Sequence, residues 1–440
     1  MRRTLFNANT NRLTYGIREM VELAARVGAL DPDLAFIGEN IGDPVAKGWE
    51  VPEFVKRIVA DLVAARGSAV FGYTHSRGRI ATRRWVADHA RRYSPCSRLD
   101  GEHVVFTNGL GGAISIFYRM LRPGSRIIQP CPGYPAHSST ESFAAGDASI
   151  GYRLDPDNRW YPDLEHLERQ IRRHPQIAGI LLINPNNPTG AVYDAATLEA
   201  IIRLAERYQL MLISDEVYFR LVYNSCRYVH VTELVGRRVP LVVMRGMSKD
   251  VPWPGSRCGW MEFHNTDCDA DFAAFFESIK RPLMLEVCST TLPQTALPLI
   301  YDHPEYKLWN ARYTAELERN GNAIFRILSR TPGLRVLPVQ GAFYMMALFD
   351  PKTLNARQTL PIACAAVRGF IRKVVAKRNL PMDKRFADYL LAATGICVVP
   401  ASDFKSPYPG FRITTLDRNL SRRGRVYRTL SASIQRYLAS

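Results

Sequence analysis

The stretch Ile180-Leu-Leu-Ile-Asn-Pro-Asn-Asn-Pro-Thr-Gly190 decides the fold, because an apolar run ends there in a turn of asparagine, proline and glycine. Two further runs repeat the arrangement: Met211–Ser214 leads into Asp215, and Leu241–Met247 leads to Lys249. Short runs of this kind, apolar throughout, are typical of strands buried in a parallel sheet. Ligands bind beyond the carboxyl ends of such strands, so one crevice is predicted to gather the polar residues that follow.

The pattern outside these runs predicts an α/β fold with a largely parallel sheet. Between about residues 70 and 320, short apolar runs such as 104–107 alternate with amphipathic helical patterns such as 112–121. Beyond about residue 325 the pattern changes to strand-like pieces between helices, which indicates a smaller α+β domain. We therefore predict a large domain over 60–322 and a small domain formed by 1–59 and 323–440.

Composition suits a soluble globular protein of two domains. The chain has 440 residues, of which 47% are hydrophobic and 22% are charged. No apolar stretch reaches the roughly 20 residues that a membrane helix needs, and the first ten residues lack an apolar signal core. These features predict a cytoplasmic protein that does not bind membranes.

The net charge of +17 is the unusual feature of the composition. A nucleic-acid site requires basic residues gathered on one face, whereas here they are spread along the chain, with one arginine-rich segment over 418–428. A solvated basic surface is therefore favoured over nucleic-acid binding. Such a surface can still speed encounter with anionic substrates.

The eight cysteines form no CxxC pair and no cluster with histidine at zinc spacing, so no metal site is expected. Most of them are expected to be reduced, buried thiols, and this prediction includes Cys96. Cys131 and Cys258 lie beside candidate site residues and are the possible exceptions.

Four residues near the three runs suit an aromatic aldehyde cofactor. Lys249 is the candidate to form a Schiff base, because a strand end holds a side chain rigidly and a lysine pKa shifts readily in a dry site. Asp215 can hold a protonated ring nitrogen, and Asn187 and Tyr218 can donate to a phenolic oxygen. Taken alone, Lys249 is typical of surface charge, Asp215 of a helix cap, Asn187 of a turn and Tyr218 of a core aromatic residue. Their order along the chain favours bound pyridoxal phosphate.

Two other segments supply candidates for the phosphate. Arg257 lies eight residues after Lys249, and its guanidinium suits a phosphate group. The amides of Leu110 and Gly111, where a predicted strand meets a predicted helix, can bind the same group. Tyr134 follows a proline–glycine turn and either stacks on the cofactor ring or is a core aromatic.

Arg412 lies in an apolar, strand-like stretch, Gly410–Thr414. An arginine in such a setting needs an anionic partner. Both a substrate carboxylate and a structural ion pair satisfy this requirement.

Taken together, the motifs resemble the signature of the fold-type I, class I/II aminotransferases that depend on pyridoxal phosphate. The similarity covers about residues 35 to 436 and follows the family's order. Its segments are Phe71–Gly78, Asn184–Gly190, Asp215–Tyr218, Ser248–Lys249, Pro254–Trp260, Gly341–Tyr344 and Phe411–Thr414.

The resemblance implies a role for each matching residue. Lys249 forms the internal aldimine and moves a proton between the substrate Cα and the cofactor C4′. The phosphate is held by Ser248 and Arg257, and the substrate α-carboxylate by Arg412. The family is usually homodimeric with active sites at the interface, where Tyr73 reaches the neighbour's phosphate. The residues that hold the cofactor ring are Asp215, Asn187, Tyr218 and Tyr134.

Within the family, Asn40–Pro44, Trp160–Leu164 and Leu292–Leu297 are most similar to the alanine (glutamate–pyruvate) aminotransferase branch. This implies an amino acid and a 2-oxo acid as ping-pong substrates, of alanine, glutamate or aromatic type, with Gly42 and Asn187 also contacting substrate. The segment 361–385 resembles an insertion of the kind that shapes a substrate entrance. The alternative function keeps the cofactor and changes the reaction to that of a β-lyase, decarboxylase, cyclase or oxidase.

Overall fold

The structure is a computed structural model that describes residues 5–95, 97–376 and 380–440. Its strands are β1 (Ile37–Gly38), β2 (Val104–Asn108), β3 (Arg126–Cys131), β4 (Gly151–Asp155), β5 (Tyr161–Pro162), β6 (Ile177–Ile183), β7 (Met211–Asp215), β8 (Leu241–Gly246), β9 (Cys258–His264), β10 (Leu334–Val336), β11 (Tyr344–Phe349), β12 (Ile396–Cys397), β13 (Val399–Pro400) and β14 (Gly410–Thr414).

Its helices are α1 (Gly16–Leu30), α2 (Glu53–Arg66), α3 (Ile80–Tyr93), α4 (Gly109–Arg119), α5 (Pro135–Ala145), α6 (Leu164–Arg173), α7 (Ala195–Arg207), α8 (Val231–Val235), α9 (Ala270–Leu285), α10 (Thr291–Tyr301), α11 (Pro304–Leu328), α12 (Ala365–Val375), α13 (Met382–Thr394) and α14 (Leu420–Leu438). Strands and helices alternate through much of the chain before α9.

An eight-stranded sheet forms the larger layer, with the strand order β2-β9-β8-β7-β6-β3-β4-β5. The neighbours from β8 to β4 pair in parallel, whereas β9 runs antiparallel to both β2 and β8, and β5 antiparallel to β4. The predicted α/β fold with a mostly parallel central sheet is confirmed.

Helices cover both faces of this sheet, which explains the fully apolar run of β6. Ile180 and Leu182 belong to one apolar cluster with residues of α6 and α7. Leu181 and Ile183 belong to a second cluster with residues of α4 and α9. Because successive side chains of a strand point to opposite faces, β6 must be apolar at every position.

The smaller layer combines both ends of the chain. Its four strands follow the order β10-β11-β14-β13, and β1 pairs in parallel with β12. The predicted domain limits at 59 and 322 fall inside α2 and α11. Phe54 and Val55 of α2 share an apolar cluster with Val104 and Phe106 of β2, so α2 packs with the large layer. The two-domain division itself stays a prediction.

Arg257 lies at the amino end of a strand, unlike Asp215 and Lys249, which lie at or beyond carboxyl ends. Arg257 comes directly before β9, which is antiparallel to β8. The amino end of an antiparallel strand lies beside the carboxyl ends of its neighbours. Arg257 therefore reaches the expected edge of the sheet from the opposite direction.

The expectation that most thiols are buried was wrong. Of the seven described cysteines, Cys258 and Cys397 are buried, while Cys268 is exposed and the others are partly buried. These others lie at element ends or in connections rather than in strand interiors. Cys96 lies outside the described residues. Across the described ranges, no helix is long and apolar enough to cross a membrane.

Candidate active site

A cavity of about 310 Å3 opens where the carboxyl edge of the large sheet meets the smaller layer. Its volume lies in the range of roughly 300–1,000 Å3 that is typical of small-ligand sites. Eleven of the predicted site residues line it, namely Gly42, Leu110, Gly111, Tyr134, Asn187, Asp215, Tyr218, Ser248, Lys249, Arg257 and Arg412.

A larger cleft of about 740 Å3 lies at the opposite edge of the sheet, beside the first residues of β6 and β7. None of the predicted site residues lines it. Chemistry-bearing side chains converge in the smaller cavity, which is therefore the candidate active site.

Lys249 lies three residues beyond the end of β8 and projects its amine into the cavity. Its Nζ donates a hydrogen bond to the carbonyl oxygen of Gly42 at 2.8 Å. Burial lowers the pKa of Lys249 to about 8, and the nearby Arg412 and Arg257 act in the same direction. Asp43 and Asp215 oppose this shift. A substantial neutral fraction near physiological pH makes this amine a nucleophile and a base.

Asp215, the last residue of β7, is buried at the floor of the cavity. Its Oδ2 lies 3.3 Å from Nε2 of the buried His137, whose Nδ1 lies 3.1 Å from the hydroxyl of Tyr118. If Tyr118 donates to Nδ1, His137 carries its proton on Nε2 and donates to Asp215. This contact and the hydrogen bond from the backbone amide of Val217 to Oδ1 fix the orientation of the Asp215 carboxylate, which faces the cavity.

Asn187 and Tyr218 present neutral donors to the same cavity. The Oδ1 of Asn187 accepts from Nη1 of Arg412 at 3.1 Å, which leaves the amide NH2 group to donate. Tyr218 donates its hydroxyl proton to Tyr344 at 3.1 Å. Burial raises the pKa of Tyr218 well above its ordinary value, so this phenol keeps its proton.

An anion-binding turn lies at the start of α4. Leu110 and Gly111 occupy its first turn, where backbone amides lack intrahelical partners. Gly109 has a φ of +69°, and a Cβ there would lie 2.5 Å from Nη2 of Arg257. Glycine at this position therefore allows the Arg257 guanidinium to approach the helix start. Ser248 lines the same cavity.

Arg412 of β14 is fully buried between two aromatic rings. Its guanidinium carbon lies 4.2 Å from the ring centre of Tyr344 and 4.9 Å from that of Phe404. It donates to Asn187 and to the carbonyl oxygen of Asn40, while its Nε has no hydrogen-bond partner among the described residues. Within those residues, no carboxylate forms an ion pair with it. The structural ion pair that the sequence left open is therefore absent from the described chain, and the guanidinium faces the cavity.

Tyr73 does not line the cavity of its own chain. Its side chain is 87% exposed, and the equally exposed Leu285 and the largely exposed Phe71 also stand out on the surface. Its role toward a neighbouring subunit stays a prediction. No described residue of the segment 361–385 lines the cavity either.

Sequence reasoning missed several site residues. His137 lies one helical turn after Tyr134, and a lone histidine in a helix of small residues was its only signal. Tyr15, whose hydroxyl lies 3.0 Å from that of Tyr134, precedes a recognisable helical pattern. Tyr344 was noted only as part of a motif, and Asp43 was passed over within the Asn40–Pro44 segment.

The two cysteines considered as exceptions are not activated thiols. Burial raises the pKa of Cys131 to about 12 and also raises the pKa of Cys258. Neither thiol lines the cavity. Thiolate chemistry is therefore not a feature of this site.

Comparison with known proteins gives consistent similarities. Residues 38–424 match the family described as aminotransferase class I and II. An uncharacterized aminotransferase of Methanocaldococcus jannaschii is 38% identical over 438 residues, with 100% of both chains covered. The glutamate-pyruvate aminotransferase of Escherichia coli is 26% identical, covering 86% of this chain and 85% of that protein. The solved alanine aminotransferase of Pyrococcus furiosus superposes with a TM-score of 0.83 at 25% identity, covering 98% of this chain and 100% of that one.

Proposed function

The chain belongs to the family of class I and II aminotransferases, and we propose that it transfers an amino group between glutamate and pyruvate. The prediction of an aminotransferase of fold type I is confirmed, and the β-lyase, decarboxylase, cyclase and oxidase alternatives are not favoured. The choice of substrates is supported by similarity to proteins named as glutamate-pyruvate and alanine aminotransferases.

One observation carries the proposal in the structure: a lysine of lowered pKa and an arginine that pairs with no carboxylate among the described residues face one cavity. Lys249 supplies the amine, and Arg412 supplies a fixed, planar cation for the substrate α-carboxylate. Asn187 holds that guanidinium in place through the 3.1 Å hydrogen bond. An amino acid bound in this way presents its α-amino group and Cα toward Lys249.

Pyridoxal phosphate is the proposed cofactor, and the donor set fits it. Asp215 suits the ring nitrogen, and Asn187 and Tyr218 suit the phenolic oxygen. Tyr134 lines the same cavity and suits the ring face. The phosphate is assigned to the turn formed by Leu110, Gly111, Ser248 and Arg257. When bound, the cofactor supplies an electron-withdrawing ring conjugated with the substrate Cα.

The chain's own residues perform the proton transfers. With its pKa lowered to about 8, Lys249 has a neutral fraction near physiological pH, and this neutral amine can accept the proton from the substrate Cα. Arg412 orients the carboxylate, so the Cα–H bond faces the amine rather than sampling many orientations. Asp215 is held in orientation by its contact with His137.

We also propose a homodimer, in which Tyr73 completes the neighbouring site. Phe71, Tyr73, Met284, Leu285 and Val287 are exposed aromatic or aliphatic residues, with exposures from 49% to 87%. The backbone amide of Thr74 contacts Cys288 Sγ at 3.5 Å, which places the two segments side by side. An apolar patch of this kind is typical of a protein–protein contact.

A cytoplasmic location is likewise proposed. It agrees with the described cysteines, all seven of which are free thiols, because reducing compartments keep thiols in that form.

The test is a pair of half-reactions with the purified protein loaded with pyridoxal phosphate. Mixing with glutamate should change the absorbance of the bound cofactor and release 2-oxoglutarate, and pyruvate should reverse the change and yield alanine. Lys249→Ala should abolish both, whereas Lys280→Ala, in α9 and away from the cavity, should not. Ammonia or CO2 as the product would contradict the proposal.

A further inference from the structure

We propose that the hydroxyl of Tyr344 binds the substrate α-carboxylate together with Arg412, and that its contact with Tyr218 couples carboxylate binding to protonation of the lysine–cofactor bond. The inference rests on the proposed function and deepens it. It gives a buried side chain a role in substrate binding and in setting the electronic state of the cofactor.

The position of the Tyr344 hydroxyl carries the first step. Tyr344 is the first residue of β11, is buried, and lines the cavity. Its hydroxyl lies 3.1 Å from that of Tyr218, and its ring stacks on the guanidinium of Arg412. A Cβ at Gly42 would overlap the Tyr344 hydroxyl, so the main chain at Gly42 packs directly against it. Tyr344 therefore contacts the residue assigned to the phenolic oxygen through its hydroxyl and the residue assigned to the carboxylate through its ring.

A count of protons carries the second step. The contact between Tyr218 and Tyr344 holds one proton, because each phenol has only one to donate. When Tyr218 donates to the cofactor's phenolic oxygen, the proton in this contact must come from Tyr344. A carboxylate on Arg412 competes for that same proton. Hydrogen bonds to charged acceptors are roughly twice as strong as neutral ones, so Tyr344 turns to the carboxylate.

The consequence is a change in the basicity of the lysine–cofactor bond. While Tyr344 donates to Tyr218, it polarises that phenol and strengthens its hydrogen bond to the anionic phenolic oxygen. A stronger bond there stabilises the form in which the lysine nitrogen has lost its proton. Loss of this support when a carboxylate binds raises the pKa of the bond. The charged groups that face Lys249 are Asp43, Asp215, Arg257 and Arg412.

The experiment compares Tyr344→Phe with a matched control, Tyr223→Phe. Tyr344→Phe removes one hydroxyl and keeps the ring that stacks on Arg412. Tyr223 donates to the carbonyl oxygens of Gly341 and Ala342 just before β11, and it does not line the cavity. Tyr223→Phe therefore reproduces any loosening of this segment without touching the cavity.

The readout is a spectroscopic titration of the holoenzyme's bound cofactor, with and without propionate, a carboxylate that lacks an amine. In the absence of propionate, Tyr344→Phe should raise the pKa of the lysine–cofactor bond by about half a unit to one unit. It should also reduce the further rise in that pKa that propionate causes. Propionate affinity should fall about tenfold. Tyr223→Phe should leave all three values unchanged.

Either of two results would overturn the inference: a Tyr344→Phe titration that matches wild type in both conditions, or unchanged propionate affinity. Equal changes in Tyr223→Phe would also overturn it, because they would show a structural effect of the segment. Failure of the proposed function is distinguishable. In that case the titrations behave as expected, while neither glutamate nor alanine converts the cofactor.

Discussion

The lowered pKa of Lys249 predicts how fast the cofactor-free protein captures pyridoxal phosphate at each pH. Only the neutral amine attacks the aldehyde, and the ordinary lysine pKa is 10.5, against about 8 here. This difference of about 2.5 units raises the neutral fraction at pH 7 about 300-fold. Capture should therefore accelerate with pH and level off above about pH 8. A surface lysine would continue to accelerate beyond pH 10.

The sign of each neighbouring charge gives a second check on the same quantity. Asp43 raises the pKa of Lys249, so Asp43→Asn should move the capture midpoint below that of wild type. The substitution is conservative, because asparagine can still accept from the amides of Val45 and Ala46. An unchanged midpoint would show that Asp43 does not act on this amine.

The assay is stopped-flow absorbance between pH 6 and 10, with the rate divided by the rate constant of the neutral amine of Nα-acetyl-lysine at the same pH. This ratio removes the titration of pyridoxal phosphate itself. A midpoint above pH 10 would refute the reasoning, because it would mean that burial does not shift the lysine. A rate independent of pH would refute it as well.

Four further predictions follow from single contacts. Arg412→Gln should raise KM for glutamate by about 10- to 150-fold in steady-state kinetics, because a charged hydrogen-bond partner contributes about 1.5–3 kcal/mol; an unchanged KM would contradict this. His137→Phe removes the donor to Asp215 and should weaken cofactor affinity about tenfold in equilibrium dialysis. Gly109→Ala should lower the denaturation midpoint, since φ is +69° and left-handed backbone costs an L-residue about 1–2 kcal/mol. Leu285→Asp should shift the protein toward monomer in analytical ultracentrifugation.

Each of these has a matched outcome that would argue against it. Cofactor affinity in His137→Phe equal to wild type would mean that Asp215 holds the cofactor without its contact to His137. An unaltered midpoint in Gly109→Ala would mean that the start of α4 tolerates a side chain. A dimer that survives Leu285→Asp, or a wild-type protein that is a monomer, would place the subunit contact elsewhere or remove it.

The sequence was sufficient to predict the central sheet and the residues at its carboxyl edge. Runs such as Ile180–Ile183 are apolar on both faces because helices cover both faces, and this leaves a plain signal. Polar residues that end such runs, among them Asp215 and Lys249, can only lie at the sheet edge. Their convergence in one cavity follows from the topology of parallel strands.

The direction of β9 could not be predicted, because an antiparallel strand buried on both faces has the same apolar sequence pattern as a parallel one. Arg257 therefore reaches the cavity from the amino end of β9, an arrangement that its local sequence does not show. His137 and Tyr344 were missed as site residues for a different cause. Their contacts with Asp215 and Tyr218 join residues 78 and 126 positions apart, and no local pattern encodes such a pairing.

Contacts between distant segments also could not be predicted in the smaller layer. Arg412 was recognised as a buried arginine that needs an anion, but its partners could not be read from its own segment. Asn40 and Asn187, which hold its guanidinium, come from distant parts of the chain. The packing of α2 on the large layer depends on contacts with β2, which the sequence of the helix does not encode.

The central claim is that Lys249 carries the cofactor and exchanges it with substrate. Borohydride reduction of the holoenzyme, followed by proteolysis and mass spectrometry, tests this most directly. The account predicts that the reduced cofactor is attached to the peptide containing Lys249, and that excess glutamate added before reduction removes this label. A label on another lysine, or a label that glutamate leaves in place, would contradict the account.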